Sequence, residues 1–316
     1  MDVSVILPTY NRCDLLPKAL EKLLSQNATA EYEVIVVNNN STDQTQEIIE
    51  FFVQRDNRCR YVFEKKQGLS HARNAGVAVA RAETVVFTDD DVEVRHDWIQ
   101  QIHEAVLRYP DADYLGGRVS PLGSDSLPAW AHLNLAPFGL QELGDEPFRV
   151  SKDRPRCLIG ACLICRRRAF DKAGLFNPET QRVKDGVGST EDADWESKVW
   201  EYGGHGMYVP QIVCFTPLSE SRLQKAYHRK WHAGHGKFNA KARRDEWSGK
   251  SRNLLDIPTY MYRQLIEAAL KGAIASAKGK RAEAFEHECN FLFCVGFIRE
   301  RWSSARKKHE ATNSVS

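Results

Sequence analysis

Three consecutive aspartates, Asp89-Asp90-Asp91, close the apolar run Thr84-Val85-Val86-Phe87-Thr88. A buried strand that ends in clustered carboxylates presents oxygen ligands at the rim of a sheet. Hard divalent cations such as Mg²⁺ and Mn²⁺ take such ligands and complete their shell with water and phosphate oxygens. Adjacent negative charges repel one another, and a bound cation relieves that cost. The competing use of the same residues is a helix N-terminus, where Asp is favoured by capping and by the helix dipole.

The elements that must position these aspartates alternate in type. Apolar strands are expected over 3–7, 32–37, 60–63 and 84–88, separated by helices over 14–25, 44–54 and 70–80. That order implies an α/β fold with a parallel sheet covered by helices. Ligands of such sheets bind beyond the carboxyl ends of the strands. The conspicuous polar residues fall there: Thr9-Tyr10-Asn11-Arg12 after the first strand, Asn38 to Asp43 after the second, Asp89 to Asp91 after the fourth. Three strand ends thus converge on one crevice. Further on, a helix is expected over 96–109 and a strand over 114–120. The Pro/Gly-rich stretch 121–155 reads as irregular, and a loop of that length is usually functional. A strand over 156–166, helices over 167–173 and 191–202, and an apolar stretch over 207–216 broken by Pro210 follow. From 219 onward the chain reads as helical.

Composition bounds the rest. With 316 residues, 42% hydrophobic and 27% charged, a folded core is expected rather than disorder. A net charge of +2 gives no sign of a nucleic-acid partner. The longest apolar run, 291–298, is far short of the ~20 residues that span a bilayer. Met1-Asp2 leads straight into an apolar strand without a basic leader, and eight cysteines lack a framework spacing. Both suit a cytoplasmic chain with reduced thiols. Cys162 and Cys165 form a C-x-x-C inside an apolar run. In a strand, residues three apart point to opposite faces, which suits core packing and not a zinc or redox pair.

The order of motifs resembles the inverting family 2 glycosyltransferases of GT-A fold, in their non-processive bacterial form. Val5-Ile6-Leu7-Pro8-Thr9-Tyr10-Asn11-Arg12 resembles their first strand and nucleotide loop. Val36-Val37-Asn38-Asn39-Asn40-Ser41-Thr42-Asp43 resembles their second-strand motif, and Gly68-Leu69-Ser70-His71-Ala72-Arg73-Asn74-Ala75-Gly76 their third helix. Phe87-Thr88-Asp89-Asp90-Asp91 resembles their D-x-D metal motif, Gly160-Ala161 before Arg166-Arg167 their acceptor-side strand, and Glu191-Asp192 the pair that carries their catalytic base. The likeness covers roughly 3–240, and several motifs in the right order carry more weight than any one alone.

The resemblance implies a GT-A, Rossmann-like mixed sheet flanked by helices. It implies a catalytic domain over 1–218, with a nucleotide-binding half (1–120) and an acceptor half (121–218), and a C-terminal helical extension over 219–316. The implied reaction moves a sugar from a nucleotide-diphosphate sugar, UDP-linked, to an acceptor hydroxyl with inversion. Asp91, helped by Asp89, would hold Mn²⁺ or Mg²⁺ against the leaving diphosphate. Pro8, Thr9, Tyr10, Arg12, Asn38, Asn40, Arg73, Asp89 and Asp90 would bind the donor. Arg73 offers a planar donor fork suited to phosphate or ribose; an ion-paired surface arginine is its plainer reading. Asp192 would take the acceptor proton, with Asp194 as a competitor facing away from it on the same helix. Arg118, Gly160, Ala161, Glu191 and Trp195 would line the acceptor or sugar pocket. A glycan or lipid-linked acceptor is expected, at the inner face of the membrane.

Two departures stand out. Relatives usually carry Asp where this chain has Asn38, and that Asp contacts uracil. Relatives also often place a metal-ligating His after the last strand, where this chain has Thr216. Asp91, phosphates and water could then hold the metal alone, or a histidine from His228, His232 or His235 could join them. The segment 222–252 is rich in Lys and Arg and interleaved with Trp231 and Trp247. It suits a solvated helix surface, an anionic ligand or peripheral contact with a membrane. A nucleotidyltransferase is the second enzyme reading, disfavoured because no glycine follows the first strand. A degenerate sugar-nucleotide-binding protein is the non-enzymatic one, supported only by Asn38 and Thr216.

Overall fold

The computed structural model of the protein describes residues 1–123, 127–128, 130–131, 135–183, 187–242 and 253–313, with side chains to 305. The chain divides into two units. One comprises Met1–Asp125, Gly139–Pro178 and Glu191–Leu218; the other comprises Ser126–Phe138, Glu179–Thr190 and Ser219–Ser316.

The first unit is built on a nine-stranded mixed sheet. Strands β1 (Val3–Thr9), β2 (Tyr32–Asn38), β3 (Cys59–Phe63) and β4 (Thr84–Phe87) lie in the order β3-β2-β1-β4. Helices α1 (Leu16–Leu24), α2 (Thr45–Arg55) and α3 (Leu69–Val79) connect them. All three pairings are parallel. The strands are mostly apolar, with both faces covered, and the polar Ser4, Glu33 and Arg60 bond to one another. Val3, Val5, Leu7, Val34 and Val36 enter one core, while Ile6, Ile35 and Val37 enter the other. Successive side chains point to opposite faces, so alternate residues feed alternate cores. Cys162 and Cys165 likewise sit one in each core, and all eight cysteines are free thiols.

Beyond β4 the sheet becomes mixed. β8 (Leu163–Arg166) runs antiparallel to β4 and to β6 (Tyr114–Pro121). β9 (Gly206–Thr216) runs parallel to β6, and β5 (Glu93–Val94) and β7 (Phe148–Val150) pair antiparallel with β9. Three expectations change here. The stretch 121–155 is not wholly irregular, since it contains β7 and a bridge from Gln141 to Val119. The strand expected over 156–166 starts only at Leu163, because Gly160–Cys162 form a 3₁₀ turn. Pro210 does not break β9. Gly116 faces Tyr208 but Arg118 faces Val213, so β9 bulges between those pairs and the bulge accommodates the proline.

Helices α4 (Trp98–Arg108), α5 (Arg167–Ala173) and α6 (Glu191–Glu201) complete the unit. Trp195 of α6 was expected in the acceptor or sugar pocket. It is fully buried, its ring against Tyr114, Phe170 and Phe176, and its indole N–H donates to the Gly174 carbonyl at 2.9 Å. A ring enclosed in this way offers no face to a sugar.

The second unit is helical: α7 (Lys225–Ala242), α8 (Thr259–Ala277) and α9 (Arg281–Asn313), with the small hairpin β10 (Asn253–Leu254) and β11 (Ile257–Pro258). Glycines let α7 and α9 meet backbone to backbone: a Cβ on Gly236 would strike the Phe293 carbonyl, and one on Gly296 the Ala233 carbonyl. The basic segment is partly engaged within this unit. Arg229 pairs with Glu288 at 2.7 Å and Lys225 lies over the Phe285 ring at 4.7 Å. Trp231 stacks on His235 with centroids 4.5 Å apart, while Trp247 and the rest of 243–252 lie outside the described residues. A different surface is apolar. Ile266, Leu270 and Ile274, four apart on α8, are 61%, 60% and 54% exposed, opposite the buried Met261, Ala268 and Ala275. Among the described residues no helix is long and apolar enough to cross a membrane.

Candidate active site

The loops after β1 and β2 are braced against each other. Asn11, at a positive φ of 50°, donates its backbone N–H to the Ser41 hydroxyl at 3.0 Å and accepts from the Thr42 N–H at 2.8 Å. The Arg12 N–H donates to the Thr45 hydroxyl at 3.2 Å, and Asp43 accepts from the N–H groups of Cys13 and Thr45. Asn and Asp side chains that bond nearby backbone make turns of this kind. Tyr10, Arg12 and Asn40 are left at least partly exposed, whereas Pro8 and Thr9 are buried. Asn38 is fully buried; its Oδ1 accepts from the Ser41 N–H at 2.9 Å, and its Nδ2 has no acceptor.

Asn39 carries a role that no sequence signal separated from its neighbours. Its Nδ2 donates to the carbonyls of Glu64 and Lys66 at 3.1 and 2.7 Å, and its Oδ1 accepts from the Gly68 N–H at 2.8 Å. One buried amide therefore fixes the turn that launches α3.

The three aspartates divide by direction. Asp90 was expected to bind the donor. It is instead turned inward, accepting from the Thr9 hydroxyl at 2.7 Å, and burial pushes its carboxyl up to about 7. Asp89 and Asp91 remain partly exposed on either side of it. They form an all-oxygen donor pair, the chemistry that Mg²⁺ or Mn²⁺ takes with water and phosphate. Among the described residues no group of three His, Cys, Asp or Glu side chains converges to hold a metal, so a cation there would need ligands from its substrate. The candidate histidines serve packing in the second unit. His228 lies against Trp130 and Phe138 with Nε2 at 2.8 Å from the Arg222 carbonyl. His235 holds Gly188 through Nδ1 at 3.2 Å, and burial lowers His232 to about 4. Thr216, at the end of β9, is buried, and its carbonyl accepts from the Leu122 N–H at 2.9 Å.

Arg73 is the centre of the site, and it is not on the surface. Its side chain is 2% exposed. Nη1 lies 2.5 Å from Asp192 Oδ1 and 3.2 Å from Glu191 Oε1, and Nη2 lies 3.8 Å from Asp89 Oδ1. The guanidinium rests over the Phe87 and Phe176 rings at 5.7 and 5.6 Å. Burial works against its charge, but the carboxylates, Asp192 foremost, raise its pKa and hold it protonated. The plainer ion-pair reading of Arg73 is thus what the geometry shows, though buried rather than at the surface. Glu191 faces inward with it. Asp192 keeps 18% exposure, whereas Asp194 is buried and pairs with Lys198 at 3.0 Å. Arg118 pairs with Asp145 at 2.5 Å. Gly160 and Ala161 are buried beside the cluster, and the Gly160 N–H donates to Asp192 Oδ2 at 2.8 Å.

This geometry brings Asp89 at the end of β4 and Asp192 at the start of α6 to one guanidinium. Residues 4–174 match the family model described as glycosyl transferase family 2. The chain belongs to this family. Among its relatives, the uncharacterized glycosyltransferase EpsJ of Bacillus subtilis is 35% identical over 72% of this chain and 68% of its own length. Glycosyltransferase GlyA of Streptococcus pneumoniae is 24% identical over 90% of this chain, which spans only 40% of that protein. The mannosyltransferase PcManGT of Pyrobaculum calidifontis, solved with GDP-Man and Mn²⁺, has a TM-score of 0.59 at 18% identity, covering 94% of this chain and 86% of its own. TarS 1–349 of S. aureus, solved with UDP, has a TM-score of 0.54 at 19% identity, covering 98% and 92%. These structural likenesses carry the GT-A fold to the family 2 chain described above.

The brace at Asn39 yields a prediction. Asn39→Ala leaves the buried Gly68 N–H, and two part-buried carbonyls, without this partner, and should lower unfolding stability by about 1–3 kcal/mol. A urea midpoint equal to that of the unmodified protein would contradict it.

Proposed function

We propose that residues 1–218 form a metal-dependent, inverting sugar transferase with a uridine-diphosphate sugar donor, and that 219–316 is an appended helical extension. The observation that carries this reading is the single guanidinium between Asp89 and Asp192. Inversion requires an acceptor hydroxyl to attack the anomeric carbon from the face opposite the leaving diphosphate. Asp192, the one partly exposed carboxylate of the α6 start, takes the hydroxyl proton as the new C–O bond forms and the bond to the diphosphate breaks. Asp91 and Asp89 would hold Mn²⁺ or Mg²⁺, which neutralises charge on the departing phosphate oxygens. Membership of glycosyl transferase family 2 disfavours a nucleotidyltransferase. The presence of Asp89, Asp91 and Asp192 disfavours a degenerate binding protein.

Uridine is supported by the UDP and UDP-GlcNAc complexes of TarS; the GDP-Man complex of PcManGT is the counterexample. In this chain Asn38 is fully buried with its Oδ1 engaged by Ser41, so its unpartnered amide N–H is the group that a base carbonyl would have to reach. The acceptor is a glycan or a lipid-linked one. Contact with an anionic membrane surface is better supported through α8 than through 222–252. Its exposed Ile266, Leu270 and Ile274 are accompanied by Arg263, Lys271, Lys278, Lys280 and Arg281, of which Lys271 pairs with Glu267 at 3.6 Å and Lys280 with Glu283 at 2.8 Å.

Three measurements test these proposals. Calorimetry with UDP, CDP, dTDP and GDP should show tightest binding to UDP and a requirement for Mn²⁺ that Asp91→Asn removes. Asn38→Asp should sharpen the preference for UDP over CDP, because a carboxylate repels the unprotonated cytosine N3. Tighter binding of GDP, or Mn²⁺-dependent affinity surviving in Asp91→Asn, would refute the assignment. Secondly, Asp192→Asn should lower turnover by at least ~10²-fold with little change in UDP affinity. Loss of turnover in a folded Asp194→Asn protein but not in Asp192→Asn would identify the wrong carboxylate. Thirdly, the protein should co-sediment with phosphatidylserine vesicles and Leu270→Asp should release it. Equal sedimentation of both proteins, or none of either, would remove α8 as a lipid contact.

A further inference from the structure

Gly160 and Arg73 meet at Asp192 from opposite sides. The Asp192 carboxylate is held by both oxygens: Oδ1 by Arg73 Nη1 at 2.5 Å, and Oδ2 by the backbone N–H of Gly160 at 2.8 Å. The chain leading to Gly160 is itself gripped by side chains. The Leu158 N–H donates to Glu196 Oε1 at 2.9 Å, and the Ile159 N–H to Gln141 Oε1 at 3.0 Å. Gln141 is anchored in turn by its Nε2, which donates to the Gly117 carbonyl at 2.8 Å. Glu196 and Asp192 are four apart on α6, hence on one face, and they take the alternate N–H groups of 158 and 160. Extended chain points successive N–H groups in opposite directions, which is why the intervening Ile159 turns to Gln141 instead.

The second contact is steric. A Cβ at position 160 would collide with Arg73 Nη2 and would lie 2.7 Å from its Cζ and 2.8 Å from its Nη1. The guanidinium cannot step aside, because it is enclosed by Phe87, Phe176 and three carboxylates. Gly160 has no left-handed backbone angle, so the absence of a side chain there answers no conformational need. It answers the approach of the arginine.

We propose that Gly160 is a positioning residue for the base. Its N–H fixes one oxygen of Asp192, and its bare Cα admits the Arg73 guanidinium that fixes the other. Gly160 thereby aims Asp192. This rests on the reading of Asp192 as the base.

The experiment measures Mn²⁺-dependent UDP release from the best donor in a panel of UDP-sugars, alongside UDP affinity by calorimetry. Gly160→Ala should lower kcat by about 10²-fold, the scale of an ångström of misplacement, with UDP affinity unchanged. Arg73→Lys keeps the charge on a slimmer head, so adding Gly160→Ala to Arg73→Lys should cost little further turnover. In an Asp192→Asn background Gly160→Ala should have no effect. The proposal is overturned if folded Gly160→Ala turns over normally, if its loss multiplies with that of Arg73→Lys, or if UDP affinity falls in step with turnover. Full turnover in Asp192→Asn would instead overturn the base assignment, and is read separately from the others.

Discussion

A guanidinium that cannot reach water must be paired, and the pairing of Arg73 orders the catalytic face of this fold. Its partners come from two distant elements: Asp89 follows β4, and Glu191 and Asp192 open α6. Removing one partner of a buried ion pair costs several kcal/mol, because the other charge is left uncompensated. The aromatic floor of Phe87 and Phe176 is held by the same helix, since Asn74 of α3 makes reciprocal hydrogen bonds with the Phe176 backbone at 2.9 and 3.1 Å. One helix thus brings the guanidinium, the Asp192 carboxylate it holds and the Phe176 ring beneath it into a single register. Charge, stacking and backbone braces agree on one arrangement, which is how a site is kept rigid on a scaffold.

Around that pair the acidic cluster after β4 is sorted by direction. Asp90 is tied to Thr9 inside the protein, so the loop after β1 and the end of β4 are held as one rim. Asp89 leans toward Arg73 at 3.8 Å, which ties the end of β4 to α3. The loops after β1 and β2 are locked by Asn11, Asp43 and Asn39. These short polar side chains replace the regular ladder where the strands stop, and they order the crevice without filling it.

How much of this was legible in the sequence depends on the range of the interaction. The first four strands and three helices follow from local periodicity, and the observed bounds differ by only a residue or two. That Asp192 and Asp194 point apart also follows, since residues two apart on a helix diverge; the structure turns Asp194 inward to Lys198. β5 and β7 were not legible because such short strands exist only by pairing with β9, far along the chain. The partners of Arg73 were not legible for the same reason. Its partner Asp192 is 119 positions away, and nothing in the local motif separates an arginine facing a phosphate from one facing a carboxylate. Trp195 illustrates the opposite error. It lies one turn after Asp192, close to its face, but α6 has already entered the core by that turn.

The balance of charge gives a physical reason to expect a metal, apart from any motif. Arg73 is one positive charge facing Asp89, Glu191 and Asp192, and Asp91 adds another carboxylate beyond them. With these acids ionised, the cluster carries a surplus of negative charge, while its arginine is committed to the protein's own carboxylates. A nucleoside diphosphate is itself an anion. Its approach to that surplus is opposed unless positive charge intervenes, and in partly desolvated surroundings such repulsion is only weakly screened. Arg12 is exposed at the rim and engages the brace through its backbone N–H. One exposed arginine is a weak counterweight to several carboxylates. A divalent cation between Asp91 and the diphosphate would reverse the sign of the encounter. Because Arg73 is committed to Asp89, Glu191 and Asp192, a diphosphate bound here would depend on such a cation for its neutralisation.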